Sequence, residues 1–367
     1  MRQFFNALFF ALVITAGATA GASAQTLSEM AGQMVMVGFE GTSVEDAGFR
    51  AVRAQLADGQ IGGVMYLRRN VDSLADVRAM NAAFAAASPW LSPFIALDQE
   101  GGQIRRLTAA VGFVETPSAA AVGRGSVMEA RAIYTGLAER LAALGFTVNF
   151  GPVVDLNLNA DNPIIARYER SFGVDPERVA QFGAAFVEGH RAAGVATALK
   201  HFPGHGSSTG DTHEGFVDVT NDWQEVELEP FARLIEEGLA DMVMVAHIFN
   251  ADYVRDPNEQ LPASLSPAWI DGVLRGDLGY DGVVISDDLQ MGAITAQFDL
   301  RETVVRAVTA GNDILLFSGY PDPLPGTGED VHDIIIQEAQ SDPAFAARVE
   351  ESYRRIVALK QRLGPGE

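Results

Sequence analysis

The stretch from Lys200 to Gly215, KHFPGHGSSTGDTHEG, gathers three of the chain's six histidines together with a lysine and an aspartate. Imidazole is the side chain that gains and loses a proton near neutrality, and a nearby carboxylate can orient it and raise its basicity. Asp211 and His213, two residues apart, therefore form a dyad suited to general acid/base work. Glycines and small hydroxyl residues at this density make poor helix and poor strand. Gly204 to Gly210 is accordingly expected to be a mobile loop carrying the dyad at its far end.

A second candidate chemistry lies downstream. Asp287 follows the apolar run Val283-Val284-Ile285-Ser286, where a half-buried carboxylate fixed by backbone packing suits a nucleophile. Its neighbour Asp288 is expected to point away and to cap a helix opening at Leu289-Gln290-Met291. Upstream, Asp98 begins a segment that continues through Gly101 and Gly102 to Arg105 and Arg106, an acceptor and donors fit to grip hydroxyl groups of a polar ligand. Arg170 is a further candidate donor. Lys200, at the end of an apolar run, has few reasons to be there besides ligand contact, and His201 adjoins it. A rival chemistry uses overlapping residues: His201, His205, Asp211, His213 and His247 could furnish ligands for a hydrolytic metal. Their place on a flexible loop argues against it, and no metal and no cofactor is expected.

These side chains need a scaffold that brings distant segments to one place. Eight apolar, β-rich runs alternate with helical patterns: Met34-Phe39, Gly62-Leu67, Phe94-Leu97, Thr147-Val154, Val195-Leu199, Met242-Ala246, Gly282-Ile285 and Asp313-Phe317. Most are continuous blocks of Val, Ile, Met and Ala, as parallel strands buried on both faces are. Helices are expected over Met128–Leu144, Asp175–Ala193, Trp223–Gly238 and Ala344–Leu363, the last stopped by Gly364-Pro365, with Pro321 to Gly328 as a loop. The order predicts an α/β fold, a (β/α)8 TIM-type barrel in one domain over residues 25–367, with a doubly wound open sheet as the rival. The polar residues support the barrel. Asp98, Asp155, Lys200 and His201, His247, and the Asp287–Asp288 pair all follow the ends of runs, which is where barrel enzymes keep their catalytic groups.

Composition narrows the function. A formal charge of −22, one unit more negative without Arg2, excludes nucleic acid and anionic membrane as partners. The absence of cysteine excludes thiol chemistry and a cysteine-linked lipid anchor. Residues 1–24 read as a secretory signal peptide, with Arg2, the apolar Phe4 to Ile14 and Ala22-Ser23-Ala24 before the cut at Gln25. Its apolar core is shorter than the roughly 20 residues a spanning helix needs. A periplasmic or secreted protein without membrane insertion is expected.

Taken together, Lys-His-Phe-Pro-Gly-His-Gly followed by Asp-Thr-His, with Asp-Gln-Glu-Gly-Gly upstream and Ile-Ser-Asp-Asp-Leu-Gln-Met downstream, resembles the single-domain β-N-acetylglucosaminidases of glycoside hydrolase family 3. The resemblance spans nearly all of the chain after the leader. It implies a barrel exo-glycosidase that retains anomeric configuration, with Asp287 as nucleophile, His213 and Asp211 as the acid/base dyad, and Asp98, Arg106, Arg170, Lys200 and His201 binding the terminal sugar of a small carbohydrate or muropeptide. The chain departs from that pattern in three ways: Thr212 stands where serine is usual, Gln103 where arginine is usual, and the export signal is absent from many cytoplasmic relatives. Retaining glycosidases usually pair two carboxylates about 5 Å apart. Here the strong partner for Asp287 is a histidine, and with the chain ending where the barrel closes, the proton donor is expected from within the barrel. A metal-dependent barrel hydrolase and a non-catalytic periplasmic sugar-binding protein are the alternatives, the latter disfavoured by 8% aromatics without a clustered set. Oligomeric state is not encoded in any pattern here.

Overall fold

The computed structural model describes residues 25–88, 91–256, 258–319 and 326–363. The expected signal peptide, the Gly364-Pro365 stop and most of the Pro321–Gly328 loop lie outside them. Each apolar run becomes a strand: β1 Val35–Gly38, β2 Gly63–Tyr66, β3 Phe94–Leu97, β4 Val148–Asn149, β5 Ala196–Phe202, β6 Met242–Val245, β7 Val283–Ser286 and β8 Leu315–Phe317. All pair in parallel, in the order β8-β1-β2-β3-β4-β5-β6-β7. A parallel bridge between Ile285 and Ile314 joins the outer two, so the sheet closes into a barrel rather than an open doubly wound sheet. Asp313, fully buried just before β8, reinforces that seam by accepting the Val284 N–H at 2.9 Å and an Arg275 guanidinium N–H at 2.9 Å.

Helices on the outside cover the strands, which is why the runs are apolar on both faces. Val127–Ala143 starts at a capping box of Ser126 and Glu129, and Pro176–Ala192 starts at Asp175 with proline in its first turn, as expected. Three elements differ from expectation. The fourth strand is only two residues long because Pro152 has no N–H to give the ladder; the pairing resumes as Val154 N–H donates to Lys200 O at 2.8 Å. The helix expected over Trp223–Gly238 splits into a 3-10 turn, Glu225–Leu228, and an α-helix, Glu229–Glu236, at Pro230. The closing helix Pro343–Leu363 is preceded by another, Thr327–Ser341, which begins inside the expected loop. A short parallel ribbon, Val217–Asp218 with Ile248–Phe249, lies outside the barrel.

The closing helix places a lysine at the amino-terminal mouth of the barrel. Lys360, 8% exposed, donates to Gln33 Oε1 at 2.7 Å and Gly62 O at 2.9 Å and lies 4.5 Å from the Phe94 ring centroid. With no carboxylate among those contacts, burial pulls its ammonium down to about 7. Between that value and the ordinary lysine value the unfolded chain binds the proton and the folded chain does not, so stability rises with pH across this window. Lys360→Met removes the linkage. The stability of the variant relative to wild type, measured by urea denaturation, should therefore fall by up to about 1.4 kcal/mol per pH unit between pH 7 and 10.

Candidate active site

The carboxyl ends of β3, β4 and β5 carry a continuous chain of charges. β5 runs on to Phe202, three residues past the expected end at Leu199, so Lys200 and His201 lie within it rather than after it. The Lys200 ammonium is 2% exposed and donates to Asp98 Oδ1 at 2.6 Å and Glu100 Oε1 at 2.8 Å. Arg106 donates to the other Asp98 oxygen at 2.7 Å. Arg170 grips Glu100 with two parallel N–H groups at 2.9 and 2.7 Å, the fork geometry that suits carboxylates. Its Nη2 also lies 3.1 Å from His201 Nε2. Because guanidinium only donates, that nitrogen accepts, leaving Nδ1 to donate to Asp155 Oδ2 at 2.6 Å.

Burial alone would push these carboxyls up, but the cations and hydrogen-bond donors beside them win. Arg170 and Lys200 hold Glu100 well below the usual carboxylate range, Lys200 and Arg106 lower Asp98, and His201 lowers Asp155. The structure thus brings together all five residues expected to bind a ligand, Asp98, Arg106, Arg170, Lys200 and His201. It adds Glu100, to which the sequence assigned no role, and gives Asp155, which the sequence placed only at a strand end, a partner in His201. Glu100 stood in plain sight two positions after Asp98, but the glycine turn that follows hid its direction.

Asp287 sits at the end of β7, partly buried, and its own Oδ1 accepts the Asp288 N–H at 2.8 Å. Burial raises its carboxyl, yet the imidazoles of His247, His201 and His213, with that N–H, pull it down to about 2. A carboxylate that remains charged and lacks a fixed cation is a competent nucleophile. His247 is fully buried, with Nε2 donating to Asp288 O at 2.9 Å and Nδ1 2.7 Å from Ser264 Oγ. Asp288 caps no helix. Its carboxylate accepts the Ser318 N–H at 3.0 Å and the Gln290 N–H at 3.1 Å, tying the end of β7 to the end of β8, because the chain turns at Leu289 before the next helix at Gly292–Thr295.

The dyad is formed: Asp211 Oδ1 accepts His213 Nδ1–H at 2.7 Å and the His213 N–H at 2.9 Å, which leaves Nε2 to meet a substrate. The loop that carries it is not the free segment expected. Residues 204–208 are buried. A Cβ on Gly206 would stand 1.6 Å from Leu156 O, and Gly204, at φ +119°, leaves 2.5 Å between its would-be Cβ and that of Glu227. The glycines permit close packing rather than looseness. Asn162, fully buried, donates to His205 O at 2.8 Å, and the far end docks on the chain beyond Asp287, Ala293 N–H donating to Thr212 O at 3.1 Å and Gly292 N–H to His213 O at 3.3 Å.

The remaining imidazoles are engaged: His205 Nδ1 lies 2.6 Å from Ser208 Oγ, and His201 and His247 are bonded as above. Among the described residues no three His, Asp or Glu side chains converge on a metal-sized site. Glu100→Gln should cost about 3–5 kcal/mol of unfolding free energy in a denaturant titration, since it leaves Lys200 and Arg170 facing an uncharged partner in a buried site.

Known proteins fit this geometry. A family profile described as the glycosyl hydrolase family 3 N terminal domain matches residues 26–359. The beta-hexosaminidase A of Pseudoalteromonas piscicida is 34% identical over 334 residues, 83% of this chain and 55% of that protein. The beta-hexosaminidase of Pseudomonas aeruginosa (strain UCBPP-PA14) is 36% identical over 267 residues, 71% of this chain and 76% of the other. Among solved structures, a glycoside hydrolase family 3 beta-N-acetylglucosaminidase from Paenibacillus sp. str. FPU-7 superposes with a TM-score of 0.84 at 35% identity, covering 94% of this chain and 64% of that one. The beta-N-acetylhexosaminidase of Beutenbergia cavernae gives 0.80 at 32%, covering 92% and 99%. The chain thus spans less than two thirds of the Pseudoalteromonas and Paenibacillus proteins. With a profile that covers nearly all of the described residues and relatives at this identity, the chain belongs to glycosyl hydrolase family 3 through the N-terminal domain of that family.

Proposed function

We propose that this protein is a retaining exo-glycosidase that removes terminal, non-reducing β-linked N-acetylglucosamine from cell-wall fragments or chitooligosaccharides. The observation that carries the reading is the pairing of an ionised Asp287 with the Asp211–His213 dyad, which docks on the chain just beyond it. Asp287 attacks the anomeric carbon as the bond to the leaving oxygen breaks, forming a glycosyl ester. His213 Nε2 gives that oxygen its proton, and Asp211 stabilises the orientation of the ring. Water then attacks the anomeric carbon, passes its proton to Nε2 and releases the Asp287 carboxylate. Asp98, Arg106, Lys200, Arg170 and His201 would hold the hydroxyls of the terminal sugar, with Asp98 as acceptor, Lys200, Arg106 and Arg170 as donors and His201 held between Arg170 and Asp155. Names of relatives support the sugar: two are beta-hexosaminidases.

A direct test is hydrolysis of an aryl β-N-acetylglucosaminide by the purified chain, compared with the β-glucoside and β-xyloside and repeated in excess EDTA. Preference for the N-acetyl sugar, unchanged by chelation, is expected; loss in EDTA with recovery on zinc would point to a metal hydrolase. Asp287→Ala should abolish turnover, and a fluorosugar should leave its adduct on Asp287 in peptide mass mapping. Because Asp287 stays ionised down to about 2, an acid limb above pH 3 must belong to another group.

His213→Ala should slow poor leaving groups by about 10²–10⁴-fold, the range of general acid catalysis, while a dinitrophenyl glycoside forms its intermediate at nearly the wild-type rate and azide accelerates breakdown. A uniform loss across leaving groups would remove His213 from the proton path. We also propose export of the chain after removal of residues 1–24. Amino-terminal sequencing of material from the periplasm should begin at Gln25, and an intact Met1 there would contradict it.

A further inference from the structure

Glu227 belongs to the 3-10 turn Glu225–Leu228 that follows the dyad's loop, and it is fully buried. Its carboxylate accepts the Gly206 N–H at 2.9 Å, the Ser207 N–H at 3.3 Å and the Ser207 hydroxyl at 2.5 Å. Those three donors all belong to the base of the loop, the side on which Gly206 is pressed against Leu156 O and Gly204 against Glu227 itself. The charged groups around it offer no compensating cation. Asp155 comes from the end of β4 and is paired with His201 of β5; His205, at the loop's base, is pulled by burial down to about 4 and is neutral; Glu225 shares its turn. Apart from the Gln224 N–H of its own turn, at 3.5 Å, its donors come from the loop, and a buried carboxylate so placed is costly unless it organises something.

We propose that Glu227 is a positioning residue for the acid/base dyad: its charged carboxylate fixes the base of the loop so that His213 meets the leaving oxygen, and loss of that charge loosens the grip. The inference rests on the reading of His213 as acid/base. Burial pushes the Glu227 carboxyl up, the Ser207 hydroxyl opposes it, Asp155 adds to the rise, and the result is about 7. The carboxyl is therefore ionised above neutrality and protonates as pH falls through about 7, where the N–H groups of Gly206 and Ser207 lose much of their attraction to it. The enzyme would lose precision in proton transfer while keeping its nucleophile.

The test compares wild type, Glu227→Gln, Ser207→Ala and His213→Ala on diacetylchitobiose and on dinitrophenyl β-N-acetylglucosaminide, with glycosylation rates measured across pH. Wild type should show an inflection near pH 7 on the disaccharide and little on the activated glycoside. Glu227→Gln should lower the disaccharide rate by about tenfold to a hundredfold, the scale of a misplaced catalytic group, leave the activated glycoside within about twofold, and abolish the inflection. Ser207→Ala removes a hydrogen bond that lowers the Glu227 carboxyl, so the inflection should move to higher pH; this variant decides the matter should Glu227→Gln not fold. An equal loss on both substrates in Glu227→Gln, or an inflection unmoved in Ser207→Ala, overturns the positioning role. Selectivity for leaving group in His213→Ala but not in Glu227→Gln overturns this inference alone. Failure of wild type on both substrates overturns the proposed function and the inference with it.

Discussion

A lysine ammonium almost completely removed from water and shared between two carboxylates is the constraint around which the site is arranged. Lys200 at 2% exposure would be untenable alone, and Asp98 and Glu100, 2.6 and 2.8 Å away, would be untenable without it. Two carboxylates on one cation leave a net negative charge, which Arg106 and Arg170 turn into a net positive one from the far sides. Asp98, Glu100 and Arg106 follow β3, Lys200 lies within β5 and Arg170 comes from the stretch between β4 and β5, so the ion cluster fixes where β3 and β5 stand relative to each other. Donors and acceptors held this way need little reorganisation, which is what the proposed sugar site requires.

The charge logic differs at the end of β7. Asp287 has no arginine or lysine partner; its low carboxyl is sustained by surrounding imidazoles and one backbone N–H. A carboxylate locked in an ion pair would be a poor attacking group, whereas one stabilised by imidazoles and a backbone N–H stays free to form a bond. The barrel thus separates fixed charge, on β3 to β5, from available charge, on β7.

Much of this was readable from residue types. Strands buried on both faces must be apolar throughout, so seven of the eight runs announced themselves. The fourth was overextended because its apolar pattern persists through Pro152, whose missing N–H is a backbone matter that hydrophobicity does not report. Asp98, Lys200 and His201 stand out because charge at the end of an apolar run is unusual, whereas Arg106 and Arg170 are singled out as donors in polar segments and by the family resemblance. Glu100 was missed because a glycine pair follows it and the sequence gives no side-chain direction there. Glu227 was hidden for the opposite reason: it sits in Glu225-Val226-Glu227-Leu228-Glu229, an acid-rich stretch that looks like solvated helix surface. Asp288 seemed a cap since the residues after it resemble a helix start, and only the position of Ser318 reveals its real partner.

The glycine-rich segment was read as loose because glycine frees the backbone, yet the same absent Cβ lets chains approach within van der Waals range, and here that is what it does. The segment touches Leu156 and Asn162 after β4, Glu227 after β5 and Gly292–Ala293 after β7. Residues 200–215 are therefore not a self-sufficient cassette. The Asp211–His213 pair is placed by the ends of three neighbouring strands, so a change at any one of those ends reaches the pair through the packed loop.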